Sequence, residues 1–319
     1  MNPKIKVIGV GGSGSNTVSR MARLDSARQA KLEMQGVELL AVNTDAQALH
    51  SCRADKKFLI GKNLTKGLGT GMDADLGKKS AEESKQEILE NLQGADMVFV
   101  TCGLGGGTGS GAAPVIAEIA KDLGILTVAV VTTPFFFEGE ERKKVAQKAL
   151  ENLKGKVDSL LVISNDKLLK IIDEKTTVTN AFLICDDILR EAVQSITDLI
   201  LVPGIINIDF ASVLSTMKDS GHALFGTGKM SGENRAVLAA EKAISSPLLD
   251  FSIKGAKGVL FSASGNDVTL NEIQEAAKVI TKNVDSKAQI IFGAVKPPKG
   301  YPSLKKGEIK ITVIATKLV

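Results

Sequence analysis

The 319-residue chain has no tryptophan, one tyrosine, two histidines and three cysteines, and no apolar run long enough to cross a bilayer. Each shortage excludes something. A membrane-spanning helix needs about 20 predominantly apolar residues, so none is expected, and no direct membrane insertion. The opening MNPKIKVIGV runs straight into a strand-like segment without the charged, apolar and small-residue regions of a secretory leader, so no signal peptide is expected. Cys52, Cys102 and Cys185 are odd in number and lack C-x-x-C spacing. That pattern points to a reducing cytosol and argues against disulfides or a structural metal. His50 and His222 cannot build a histidine-rich metal centre by themselves, and no protein metal site is expected.

Aromatic residues make up only 4% of the chain, which leaves little for stacking nucleic-acid bases. The net charge of +4 is carried by scattered pairs such as Lys56-Lys57, Lys78-Lys79, Lys143-Lys144 and Lys305-Lys306, not by one basic stripe. Solvated lysines explain this better than a nucleic-acid partner does.

What the chain has in quantity is short apolar runs and glycine. KIKVIGV, VELLAVN, KFLI, ADMVFVT, ILTVAVV and DSLLVIS are rich in Val, Ile and Leu, as strands buried on both faces of a parallel sheet are. Helical patterns lie between them, among them LGKKSAEESKQEILENLQ and SGAAPVIAEIAKDLG, the latter stopped at Gly124. This alternation predicts an α/β domain with a doubly wound, mainly parallel sheet. A long amphipathic helix follows in NAFLICDDILREAVQSITDLIL, with Phe182, Cys185, Leu189, Val193, Ile196 and Ile200 at helical spacing and Pro203-Gly204 as its stop. Beyond it, a helix around Ala211–Lys218, a strand near His222–Gly226, the helix GENRAVLAAEKAIS, KGVLFSAS, the helix TLNEIQEAAKVITKN, AQIIFGAV and IKITVIAT predict a smaller α+β domain, with PKGYPSLKKG as a loop. The implied boundaries are residues 1–176, a connecting helix over 177–202, and 203–319.

Two glycine clusters demand a reason, because glycine loses the most backbone entropy on folding. Gly103–Gly111 reads GLGGGTGSG between a strand and a helix; a linker, a tight turn or a cradle for an anion would each explain it. Gly9–Gly14 reads GVGGSG after the first strand and before a helix placed near Asn16. It satisfies G-x-G-x-x-G in the context that motif needs, and alone is compatible with a nicotinamide-dependent oxidoreductase. A second glycine cluster is superfluous in such an enzyme, and no lysine completes a Walker loop. Two clusters at the carboxyl ends of parallel strands instead suit a polyphosphate, with Thr108 offering a hydroxyl.

GGGTGSG resembles the signature of the tubulin/FtsZ family of GTPases. So do IKVIGVGGSGSN, AVNTDAQAL, TKGLGTG, GADMVFVTCGLGGGTGSGAAP, DLGILTVAVVTTPF, NDKLL, SGENRA and ISSPLL, in order along practically the whole chain, with the bacterial cell-division members the nearest pattern. The resemblance implies a GTP-binding and GTP-hydrolysing cytoskeletal protein that assembles head-to-tail into filaments in the cytoplasm, at the division site. Gly11, Gly12, Ser13, Gly14, Ser15, Asn16 and Asn43 would line the nucleotide. Gly103, Gly105, Gly106, Gly107, Thr108 and Gly109 would hold its phosphates, while Thr70 and Gly71, in the loop Thr65–Gly71, would lie near the γ-phosphate. Glu138 and Arg142 would lie near the ribose, and Asn165, Phe182 and Asp186 would read guanine. GTP or GDP is the implied ligand, with Mg2+ held through the phosphates.

Alternatives remain for several of these side chains. Phe182 is also readable as a core-facing helix residue and Arg142 as a solvated one, whereas Asp186 on an apolar helix face needs a partner. The resemblance also implies that Asn207 and Asp209, in PGIINIDFASVLSTM, complete the active site of the next subunit, Asp209 orienting the attacking water. Where the family pattern is D-F-A-D, this chain has Ser212. Slower hydrolysis, a nucleotide-regulated scaffold with weak or no hydrolysis, and a simple helix-capping serine all stay open. Division-site adaptor proteins are implied partners, although their usual C-terminal binding peptide is not seen in this sequence.

Overall fold

The computed structural model describes residues 2–27, 37–169, 172–173, 175–202, 204–246, 252–295 and 304–318. Two compact units divide the chain, and the division falls between Val193 and Gln194, inside a single helix.

In the first unit the strands are β1 (Ile5–Val10), β2 (Val37–Asn43), β3 (Lys56–Leu59), β4 (Met97–Gly103), β5 (Leu126–Thr133) and β6 (Ser159–Ser164). They follow the apolar runs of the sequence closely. Their order is β3-β2-β1-β4-β5-β6 and every pairing is parallel, with Ile8 opposite both Leu40 and Val100. The strand order reverses between β1 and β4. In an open α/β sheet that switch point, at the carboxyl ends of the strands, is where a crevice for ligand forms.

The helices of this unit include α1 (Gly11–Ala27), α2 (Ala46–Ser51), α3 (Lys62–Thr65), α4 (Ala74–Glu83), α5 (Lys85–Leu92), α6 (Gly107–Asp122), α7 (Glu140–Leu153) and α8 (Asn165–Leu168). Then comes α9 (Val178–Leu201), whose 24 residues span the division. The core packs Ile8, Val10, Val98, Val100, Ile116 and Val131 from strands and α6. Gly124 takes φ +75°, and its N–H donates to the Lys121 carbonyl, the left-handed stop expected of it.

Three expectations change. The pattern over residues 76–93 is two helices, because Ser84 leaves the helical region at φ −99°, ψ 18°. The first glycine cluster is no loop, since α1 begins at Gly11 and not near Asn16. On α9, Cys185, Leu189, Val193 and Ile196 are buried, but Phe182 is 40% exposed and does not serve the core.

The second unit contains the C-terminal part of α9, α10 (Phe210–Met217), β7 (Gly221–Ser231), α11 (Arg235–Ile244), β8 (Gly258–Gly265), α12 (Leu270–Thr281), β9 (Gln289–Val295) and β10 (Glu308–Thr316). Its strands run β7-β10-β8-β9, with β10 antiparallel to both neighbours and β8 parallel to β9. This is the α+β arrangement expected. β7 is longer than its apolar run, because it continues through Thr227–Ser231 against Glu308–Thr312. Ala236, Ala239, Ala240 and Ala243 of α11 pack with Val259, Phe261, Ile311 and Val313. Pro203, and most of the loop expected over 298–307, lie outside the described residues.

Candidate nucleotide site

At the switch point β1 passes directly into α1, and β4 into α6 after a three-residue turn. The first N–H groups of a helix have no carbonyl one turn back. At α2, α4, α10 and α12 a side chain compensates: Asp45, Asp73, Asp209 and Thr269 each accept from a first-turn N–H. Gly106, which precedes α6, makes no side-chain cap, and neither α1 nor α6 has an acidic residue in its first turn. Both helices therefore present free donors and the positive end of a dipole, the arrangement that binds phosphate. The two starts touch: a Cβ on Gly11 would stand 3.0 Å from the Gly109 nitrogen.

Above them lies a cavity of about 430 Å³, a volume suited to a small-molecule ligand. Gly11, Gly12, Ser13 and Asn16 line it from α1, Gly103 from β4, and Gly106, Gly107, Thr108 and Gly109 from α6 and its approach. Thr70, Glu138, Arg142, Asn165, Phe182 and Asp186 complete the sequence-derived set. A Cβ on Gly12 or on Gly106 would meet nothing within 4 Å, so both backbones are open to a ligand.

The Thr108 hydroxyl lies 2.7 Å from that of Thr44 and 3.3 Å from that of Thr70, a buried cluster joining α6 to two loops. The Thr65–Gly71 loop is stitched to the end of β2: Gly69 N–H donates to the Thr44 carbonyl and Ala46 N–H to that of Gly67. Arg142 pairs with Glu138 at 2.7 Å, while Glu138 also accepts from the Phe135 N–H at 2.8 Å.

At the end formed by α8 and α9, Phe182 meets Phe135 edge to face at 5.3 Å. Asn165 is 5% exposed and its Oδ1 has no hydrogen-bond partner. A buried orphan polar atom lining a cavity marks a place where a ligand donor is wanted. Asp186, which lines the same cavity, accepts from the Ser13 hydroxyl at 3.5 Å and pairs with Arg20 Nε at 3.4 Å. Burial pushes its carboxyl up to about 6, against the pull of Arg20 and Ser13. The adjoining Cys185 thiol is pushed up to about 12, first by burial and then by Asp186 and Glu138.

Five of the residues assigned to the nucleotide from the sequence do not line the cavity. Gly14 packs α1 on β4, where a Cβ would stand 2.3 Å from the Thr101 carbonyl oxygen. Ser15 is buried with its hydroxyl unpartnered. Asn43 accepts from the Thr44 and Asp45 N–H groups and so shapes the turn that carries Thr44. Gly71 takes φ +56° ahead of α4, and Gly105 lies against the Arg142 backbone. Sequence reasoning missed Thr44, Thr132 and Arg20. Ser13, Asn16 and Arg20 share one helical face, a signal hidden when α1 is started near Asn16.

Asn207 and Asp209 belong to the second unit. Asn207 Oδ1 accepts from the Gly204 N–H at 2.6 Å. Asp209 is exposed, precedes α10 and accepts from the Ser212 N–H at 2.7 Å. The Ser212 hydroxyl and N–H hold its carboxyl below the usual range.

A doubly wound parallel sheet with two uncapped helix starts over one cavity defines a nucleotide-binding α/β protein. The first unit matches the model of the Tubulin/FtsZ family GTPase domain over residues 4–173, and residues 221–319 match the FtsZ family C-terminal domain. A solved FtsZ dimer from M. jannaschii is 43% identical with TM-score 0.90, over 99% of this chain and 88% of that one. A solved tryptophan-to-tyrosine mutant of M. jannaschii FtsZ gives 43% and 0.91, over 99% and 92%. GDP-bound CetZ1 from Haloferax volcanii shares the fold at 23% identity and TM-score 0.82, over 99% and 94%. The chain belongs to the Tubulin/FtsZ family. It is accordingly a GTPase, a GTP-binding cytoskeletal protein of cell division, and the nicotinamide reading falls away. The likeness extends to archaeal members and is not confined to the bacterial pattern.

Proposed function

We propose that this cavity holds GTP, with its phosphates over the starts of α1 and α6 and guanine between Asn165, Phe182 and Asp186. The carrying observation is the pair of uncapped helix starts meeting at Gly11 and Gly109. In this reading Thr108 and Thr70 face the terminal phosphates, and Glu138 and Arg142 flank the ribose. Asp186 as a carboxylate accepts from guanine N1–H and the 2-amino group, a donor pair adenine lacks.

Mg2+ fits this site as an ion carried by the nucleotide. Among the described residues no group of three His, Cys, Asp or Glu side chains could hold a metal, whereas threonine hydroxyls and phosphate oxygens are the hard donors it takes. Bound there, it would offset phosphate charge.

The two carboxylates that line the cavity, Glu138 and Asp186, are taken in this reading by the ribose and the base, which leaves the attacking water to be oriented from elsewhere. Asp209 and Asn207 of one molecule orient it for the nucleotide of the next, Asp209 being kept ionised by Ser212. Such positioning, with electrostatic stabilisation, is most of what phosphoryl transfer requires. A contact of unlike faces whose rotation does not close builds filaments. The protein so assembled works in the cytoplasm at the division site, where adaptor proteins connect it to the membrane. Among the described residues no helix is long and apolar enough to cross one.

Light scattering after a limited addition of GTP with Mg2+ tests the reading. A rise that decays as GTP is consumed supports assembly coupled to hydrolysis; a flat trace at every reachable concentration refutes it.

A further inference from the structure

The face of α1 turned to α9 carries Ser13, in the first turn, and Arg20 two turns on. Both reach Asp186, and they take different oxygens: Ser13 Oγ lies 3.5 Å from Oδ1 and Arg20 Nε 3.4 Å from Oδ2. A carboxylate held at both oxygens cannot rotate freely, yet each oxygen keeps a lone pair for a further donor. Arg20 Nη1 also stands 3.8 Å from Asp187 Oδ1, which Arg190 Nε meets at 3.5 Å. The Arg20 side chain is 26% exposed and that of Asp186 12%, so the pair sits where water screens it little.

We propose that Arg20 is the positioning residue for guanine selection, fixing the plane and charge of the Asp186 carboxylate so that it accepts from both guanine donors. This deepens the nucleotide reading above and rests on it. Arg20 lies outside the residues lining the cavity, so it acts through Asp186 and not on the base.

The charges around Asp186 explain why such a residue is needed. From its own helix, Asp187 adds a like charge and the Cys185 thiol is neutral, Glu138 also acting on that thiol. From α1, Arg20 supplies the positive charge and Ser13 a hydroxyl. Burial already favours the protonated acid, which cannot accept from both guanine donors. Without Arg20, Asp186 would be a buried, partly neutral acid near neutral pH.

The test is equilibrium binding of GTP and of inosine triphosphate, which lacks the 2-amino group, to the full chain and to Arg20→Gln and Arg20→Lys. At about pH 6.5 Arg20→Gln should bind GTP about tenfold more weakly than the parent, and the gap should close by about pH 8.5. Its preference for GTP over inosine triphosphate should shrink, and Arg20→Lys should retain most of both properties. Parental affinity and preference in Arg20→Gln at both pH values would overturn the proposal. So would an equal loss at both pH values that lysine fails to restore, which is the mark of a merely structural residue. Asp186→Asn separates the two levels. If it keeps the parental preference, the base-reading role of Asp186 fails, whatever Arg20 does.

Discussion

The hydroxyls of Thr44 and Thr108, residues 64 positions apart in sequence, lie 2.7 Å from each other beside the cavity at the switch point. Thr44 is fully buried. The contact joins the turn after β2 to the first turn of α6, and Thr70 adds the loop before α4 at 3.3 Å. Thr108→Val keeps the shape and removes the shared hydroxyl. Leaving a buried donor unpaired costs about 1–3 kcal/mol, so the melting temperature should fall by several degrees and GTP affinity with it. A variant with parental melting and binding would show that the cluster does not organise the site.

Two adjacent glycines should behave oppositely. At Gly106, φ −89° and ψ 157° suit any residue, and a Cβ meets open space at the cavity wall. Gly106→Val should fold with near-parental melting and lose GTP affinity tenfold or more, about 1.4 kcal/mol. At Gly107 a Cβ would stand 2.3 Å from Thr70 Oγ1 and 2.6 Å from the Asp73 carbonyl oxygen. Gly107→Ala should lower stability by about 1–3 kcal/mol through overpacking. Thermal melts and nucleotide titration of the pair give the answer, and a stable Gly107→Ala would contradict it.

GTP binding should weaken in acid. Because the Asp186 carboxyl is raised to about 6 in the folded protein, its protonated form prevails below that pH, and affinity should fall by up to about tenfold per pH unit there. Above about pH 7 it should be flat. The free protein shows the reverse sign. A raised carboxyl contributes stability that is full below its unfolded value and is lost as pH rises through the folded one. The window runs from 3.8 to about 6. Calorimetric titration across this range should also detect proton release on binding near pH 6, and Asp186→Asn should abolish it.

Asp209 has two tasks that a careful substitution separates. As the acceptor at the start of α10 it stabilises a helix, and alanine there would remove that cap along with the charge. Asparagine keeps the acceptor and removes the charge alone. Asp209→Asn should bind GTP and assemble like the parent while releasing phosphate about a hundredfold more slowly. Near-parental release would remove Asp209 from the reaction. Ser212→Asp, which adds a carboxylate three residues after Asp209, should raise turnover, and unchanged turnover would show that the serine does not limit hydrolysis.

Most strands of the first unit were legible because they are short Val/Ile/Leu runs buried largely on both faces, a pattern local in sequence; β3 is the exception, with Lys56 and Lys57 exposed and Phe58 buried. The helix break at Ser84 was not, since the apolar spacing continues across it. The α1 start was hidden for a related reason: glycine and serine have weak helix preference, and packing of Gly14 on the Thr101 carbonyl overrides it. The family motifs carried most of the cavity lining. Thr44 and Arg20 escaped because their roles exist only through partners distant in sequence, Thr108 and Asp186. Phe182 could be read either way from the sequence, and its exposure among the residues lining the cavity sets aside the core reading.

The central claim is that one molecule's Asp209 acts on the nucleotide held by another, and mixing two inactive variants tests it most directly. Asp209→Asn keeps the cavity and loses the acid; Gly106→Val keeps the acid and loses the cavity. Phosphate release is measured for each alone and for the equimolar mixture at the same total concentration. With a shared site the mixture exceeds the sum of its parts, by an excess that grows with concentration. A mixture that only adds the two residual rates would contradict a shared site.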